Sequence, residues 1–134
     1  MKKLIAILIL FTLFSGCTGP QSPAISPALE CGIYDINVDE AKALVDSGEV
    51  FILDVRTASK YDTGHLFNST LIPVSELSNR LDEVPKDKPL LVYCKTGRHS
   101  TTAADILEEN NFGVIYDVDG GFRDWQAADY PYEE

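Results

Sequence analysis

The sequence predicts an α/β domain with a mainly parallel central sheet and helices on both faces. Two observations carry this. Val50-Phe51-Ile52-Leu53-Asp54-Val55 and Pro89-Leu90-Leu91-Val92-Tyr93 are near-continuous apolar runs, as expected of strands covered on both sides. Segments of helical spacing separate these from other strand-like runs, and such alternation favours parallel pairing.

The elements follow in chain order. Ile33-Tyr34-Asp35-Ile36 predicts a short first strand. Asn37 is a suitable N-cap for a helix with Val38, Ala41, Leu44 and Val45 on one side, and Gly48 is its stop. After the 50–55 strand, a short helix is expected over 58–62, then a strand at Leu71-Ile72 ended by Pro73. Ser75 to Leu81 predicts a helical turn or two. The 89–93 strand closes at Cys94, and a helix over 100–110 carries Ala103, Ala104, Ile106 and Leu107 inward. Val114 to Val118 predicts another strand, and Phe122 to Ala127 a last helix. Phe122 and Trp125 are expected in the core, and Gly120-Gly121 in a turn that needs positive φ. In such sheets ligands bind beyond the carboxyl ends of the strands, and Cys94 stands at one of those ends.

The first residues carry a different message. Lys2 and Lys3 precede an apolar run from Leu4 to Phe14, and Ser15-Gly16 are small. The run is too short for an ordinary membrane-crossing helix of about 20 residues. It has the pattern of an export signal over 1–16. Ser15-Gly16-Cys17 resembles the lipobox of prokaryotic lipoproteins, which implies lipidation of Cys17, with Phe14 in the place of the usual Leu. Stable anchoring takes at least two acyl chains, and a diacylglyceryl cysteine has them. The stretch 17–30, with three prolines and few charges, is expected to be a tether. The folded domain then spans 31–134. The expected location is a cell membrane, with the domain facing outside the cytoplasm, in a periplasm or on a cell surface.

The formal charge of −10 argues against nucleic acid, whose phosphates need clustered Lys and Arg. Membrane contact must therefore come through the lipid anchor rather than through basic residues. The three cysteines, Cys17, Cys31 and Cys94, are too few and too scattered for a disulfide-stapled fold. No metal site is expected, because His65 and His99 show no zinc spacing. Cys31 is compatible with a surface thiol, an intermolecular disulfide or a resolving thiol for Cys94.

The chemistry converges on Cys94-Lys95-Thr96-Gly97-Arg98-His99-Ser100. A loop running from a buried strand into a helix puts unpaired N–H groups and partial positive charge at the cysteine. Gly97 can turn further N–H groups inward, and Lys95, Arg98 and a protonated His99 add charge. A cysteine in that field should be largely thiolate and open to small anions. Arg56 is a candidate for the pocket rim, whereas Asp54 is expected in an ion pair or loop brace. His65 is expected to make a structural hydrogen bond.

Several separated motifs then resemble the rhodanese family, over about 33–132. Leu53-Asp54-Val55-Arg56, Tyr61 and Gly64-His65-Leu66 are similar to its first signature. Ile72-Pro73 and Glu76-Leu77 fit the segment that follows. Tyr93 to Ser100 resembles the active-site loop, and Gly120-Gly121-Phe122, Trp125 and Tyr130-Pro131 the C-terminal signature. The resemblance implies the rhodanese-like three-layer α/β fold, Cys94 as nucleophile and a persulfide formed on it. Related phosphatases and arsenate reductases use a longer Cys-x5-Arg loop, but the sixth residue after Cys94 is Ser100. Many family members have arginine five after the cysteine, where this chain has His99. A neutral His99 implies weak or pH-dependent affinity for thiosulfate.

The expected activity is sulfur transfer through Cys94, from thiosulfate or a similar small anionic donor to cyanide or a thiol, with no cofactor. The donor-binding set is Lys95, Thr96, Gly97, Arg98, His99, Ser100 and Arg56. A persulfide carrier loaded by a partner protein is the main alternative, and a thiol-based phosphatase or arsenate reductase is a weaker one. A reactive thiol outside the cytoplasm is open to oxidation, so a reducing partner or an anaerobic setting is expected, and a reducing or sulfur-relay protein is a candidate partner.

Overall fold

The computed structural model describes residues 29–134. The expected leader, the lipidation at Cys17 and nearly all of the tether lie outside the described residues.

Five strands form one sheet: β1 (Gly32–Ile36), β2 (Phe51–Asp54), β3 (Thr70–Leu71), β4 (Leu90–Tyr93) and β5 (Val114–Val118). Their order is β1-β5-β4-β2-β3, and every strand pairing is parallel. Five helices connect and flank them: α1 (Val38–Ser47), α2 (Ala58–Tyr61), α3 (Val74–Leu77), α4 (Arg98–Glu109) and α5 (Gly121–Ala127). A 3-10 turn at Leu81–Glu83 precedes β4.

The two-residue side-chain period of β4 sorts the core into two layers. Leu90, Val92 and Cys94 face one side, where they join Leu53, Val55, Ile72, Leu77, Ala103, Ala104 and Leu107. Leu91 and Tyr93 face the other, with Ile36, Ala41, Ile52, Leu66, Val118, Phe122 and Trp125. The first layer is closed by α3 and α4, and the second by α1 and α5. This is the three-layer arrangement anticipated from the apolar runs.

Helix α1 starts where its cap residue dictates. The Asn37 side chain accepts from the Asp39 and Glu40 amides at 2.9 and 3.0 Å, and Glu40 returns a bond from the Asn37 amide at 2.9 Å. Gly48, at φ +70°, ends it. The structure departs from expectation at α4, which begins at Arg98 rather than Ser100. Gly97 takes φ +96° and turns the chain into the helix two residues early, so Arg98 and His99 occupy the first helical turn. The segment after Pro73 also divides into α3 and the separate 3-10 turn.

Candidate active site

The site lies at the carboxyl edge of the central strand β4. Cys94 ends that strand, and its backbone is held by the start of α5. The Phe122 amide donates to the Cys94 carbonyl at 2.8 Å, and the Arg123 amide to the Lys95 carbonyl at 3.0 Å. Such close approach requires glycine at 121. A Cβ there would collide with the Cys94 carbonyl, and φ is +55°.

The Gly97 amide donates to the Cys94 sulfur at 3.1 Å. This bond comes from the residue that caps α4, so the sulfur faces the start of a helix. The Gly97 carbonyl is fixed in turn by the Ser100 hydroxyl at 3.0 Å and the Thr101 amide at 3.2 Å. Ser100 is fully buried and braces the turn from within the fold. One expectation needs correction. Cys94 is not open to solvent: it is a free thiol, 1% exposed, and it packs into the α4-side core. The side-chain alternation of β4 explains this, because position 94 continues the inward series of Leu90 and Val92. Because Cys94 is a free thiol, no disulfide joins it to Cys31, which is exposed just before β1.

Two cavities flank the loop. The one in front has a volume of about 200 Å³ and is lined by Arg56, Thr57, Lys60, Lys95 and His99. The one behind has about 300 Å³ and is lined by Asp35, Gly97, Thr101, Asp117 and Asp119. The structure thus brings Arg56, Lys95 and His99 together in front, places Gly97 on the rear cavity, and leaves Thr96 and Arg98 exposed on neither.

Arg56 lines the front pocket, but its charge is largely committed. Its Nε lies 3.0 Å from both Asp54 carboxylate oxygens, and its Nη2 donates to Asp54 Oδ2 at 2.6 Å and to the Gly64 carbonyl at 2.7 Å. The guanidinium also sits 4.3 Å from the Phe122 ring centroid. Burial works against this charge, but Asp54 outweighs it and holds the Arg56 pKa above its ordinary value. Burial, reinforced by Asp54, likewise pushes up the pKa of the Tyr93 phenol. Lys60 and Lys95 differ: among the described residues neither forms an ion pair, whereas Lys42, Arg80 and Arg123 each do.

The rear cavity is dominated by Asp117. Its Oδ2 accepts from the Thr101 hydroxyl at 2.8 Å, and its buried Oδ1 has no partner. Burial pushes its carboxyl above the usual range against the hydrogen bonds from Ser100 and Thr101, and the charges of Asp35 and Asp119 add to the rise. Among the described residues no three His, Cys, Asp or Glu side chains converge to hold a metal ion.

His65 is structural. It stacks on Tyr61 at 3.7 Å between ring centroids, its Nδ1 lies 3.0 Å from the Tyr61 carbonyl, and its Nε2 is 3.2 Å from Glu133. The sequence reading missed Thr57 and Lys60. They follow the end of β2, next to β4 in a parallel sheet, so their segment leaves the same edge as the Cys94 loop. It also missed Asp117, whose signal was a carboxylate inside a strand otherwise fit for the core.

The family description "Rhodanese-like domain" matches residues 37–128. The chain belongs to that family. It is 32% identical over 93 residues to a thiosulfate sulfurtransferase GlpE of Pseudoalteromonas translucida, covering 69% of this chain and 89% of that one. A rhodanese-related protein of Thermoplasma volcanium superposes with a TM-score of 0.66 at 29% identity, covering 74% of this chain and 96% of that one. A protein of Rhodopseudomonas palustris, described as a possible tyrosine phosphatase, superposes with a TM-score of 0.70 at 27% identity, covering 75% and 85%. The rhodanese-like fold has relatives named for different chemistries, so the loop must decide between them. Here the position six after Cys94 is a buried serine that braces the loop, not an arginine facing an oxyanion.

Proposed function

We propose that this protein is a sulfurtransferase that carries sulfane sulfur on Cys94. The observation that carries the reading is the Gly97 amide on the Cys94 sulfur, beside a pocket with two cations that no acid of the described chain neutralises. The Cys94 thiolate attacks the outer sulfur of thiosulfate or a similar anionic donor. A new S–S bond forms, the donor's S–S bond breaks, and sulfite leaves with the electron pair. The Gly97 N–H, on the Cys94 sulfur at 3.1 Å, helps to hold the attacking atom in place. Cyanide or a thiolate then takes the outer sulfur, and the Cys94 thiolate is restored. With cyanide as acceptor, thiosulfate and cyanide give sulfite and thiocyanate, and the electrons balance between donor and acceptor, so the cycle needs no external electron source.

The test is thiosulfate:cyanide sulfurtransferase activity of the wild-type chain and of Cys94→Ala. Thiocyanate formation should fall to background in the variant. Equal rates for the two proteins would reject the reading.

The burial of Cys94 favours a second form of the same chemistry, in which a partner protein opens the loop and loads the sulfur directly. That form predicts one extra sulfur on Cys94 by mass spectrometry of protein from cells, beside negligible turnover of thiosulfate. In either form the leader pattern and Cys17 support a lipid-anchored domain outside the cytoplasm. An unmodified Cys17, or a retained Met1, in the mass of membrane-extracted protein would reject that placement.

A further inference from the structure

The front pocket contains a cation from outside the Cys94 loop. Lys60 lines it from α2, whereas Lys95 and His99 belong to the Cys94 loop and the start of α4. Its backbone is fixed on both sides. The Lys60 amide donates to the Thr57 carbonyl at 3.0 Å, and the Lys60 carbonyl accepts from the Thr63 hydroxyl at 2.8 Å and the Thr63 amide at 3.3 Å. The ammonium therefore swings from an anchored base. Asp62, the acid nearest along the chain, forms no ion pair with it, although acids outnumber basic residues 21 to 11 in this protein. Each other candidate cation of the pocket is limited in some way. Arg56 is held by Asp54, and His99 is charged only when protonated. That leaves Lys60 and Lys95 as the permanent positive charges of the pocket that form no ion pair among the described residues, one from α2 and one from the Cys94 loop.

We infer that Lys60 is a donor-binding residue that sets the preference of this pocket for doubly charged, oxyanion-terminated sulfur donors. This rests on the reading of Cys94 as the sulfur carrier. Two ammonium groups brought to one pocket by separate segments match a small dianion, such as thiosulfate, better than a singly charged organic persulfide. A pocket of about 200 Å³ also suits a small ion. Lys60 acts on binding, not on the sulfur attacked, so its loss should appear in KM and leave kcat in place.

The experiment compares the full-length wild-type chain with Lys60→Gln and Lys60→Arg, using thiosulfate and, separately, cysteine persulfide as donors. With thiosulfate, Lys60→Gln should raise KM about fivefold, the upper range for an exposed charge pair, and leave kcat within about twofold. Lys60→Arg should restore KM to within about twofold. With cysteine persulfide, Lys60→Gln should stay within about twofold of wild type. An unchanged thiosulfate KM, an equal loss with both donors, or an arginine variant as poor as glutamine overturns the assignment. Calorimetric titration of thiosulfate into Cys94→Ala, with and without Lys60→Gln, separates this from the activity itself. A chain that turns over no thiosulfate yet binds it about fivefold more weakly without Lys60 supports the assignment and rejects direct transfer from thiosulfate. Absence of thiosulfate binding to Cys94→Ala overturns the assignment of Lys60.

Discussion

In front of the Cys94 loop, exposed lysines face a pocket without acidic partners. Behind the same loop, Asp117 is 3% exposed and has one carboxylate oxygen without any partner. The two sides have opposite sign and opposite cost. An exposed ammonium keeps its water until a ligand displaces it, so leaving it unpaired costs little. A buried carboxylate has given up its water and recovers only part of that from the Ser100 and Thr101 hydroxyls. The front is suited to exchange anions with solvent, while the rear holds a fixed charge at the expense of stability.

The sharpest way to break this contrast is at Arg56, which lines the front but is bound like a buried group. Asp54→Ala should leave that guanidinium without its counter-ion and cost about 3–5 kcal/mol in urea denaturation. A loss under about 1 kcal/mol would mean that the Arg56 charge is free to serve the pocket. The rear side gives the next effect. Asp117→Val removes the unpartnered oxygen, and Thr101 keeps its 3.0 Å bond to the Gly97 carbonyl, so stability at pH 7 should rise by about 1 kcal/mol. The gain should shrink on acidification. The folded-state pKa of Asp117 is raised, so the wild type gains stability as pH falls through that value, down to about 3.8 where the unfolded group titrates. A gain independent of pH would show that Asp117 does not titrate in this way. The smallest effect belongs to His99. His99→Arg adds a permanent charge at the front and should lower the thiosulfate KM by about two- to fivefold, with little change in melting temperature. An unchanged KM would mean that position 99 does not face the bound donor.

Much of the fold was legible because its strongest signals are local. The apolar run at 51–54 and the Asn37 and Gly48 caps need no tertiary knowledge, and each marked its element to within a residue or two. The start of α4 was not legible in the same way. A glycine at 97 can end a loop or begin a helix, and the choice is made by Gly121 and Phe122 pressing on the Cys94 peptide from far along the chain. Within the site, the loop residues were legible because they are contiguous. Lys60 and Asp117 were not, because strand adjacency brings them to Cys94, and the order β5-β4-β2 is a property of the sheet. Burial of the thiol was a matter of register. The same alternation that made β4 recognisable also turned position 94 inward.

The grip of α5 on the Cys94 and Lys95 carbonyls has a consequence for how the protein is made. Cys94 is synthesised well before residues 120–125, yet those residues complete the backbone around it. A chain still emerging from the ribosome, or one cut short before Gly120, would contain the cysteine but lack the amide donors that hold its loop in shape. The loop around Cys94 should therefore take its final shape only at the end of translation, when the last helix docks.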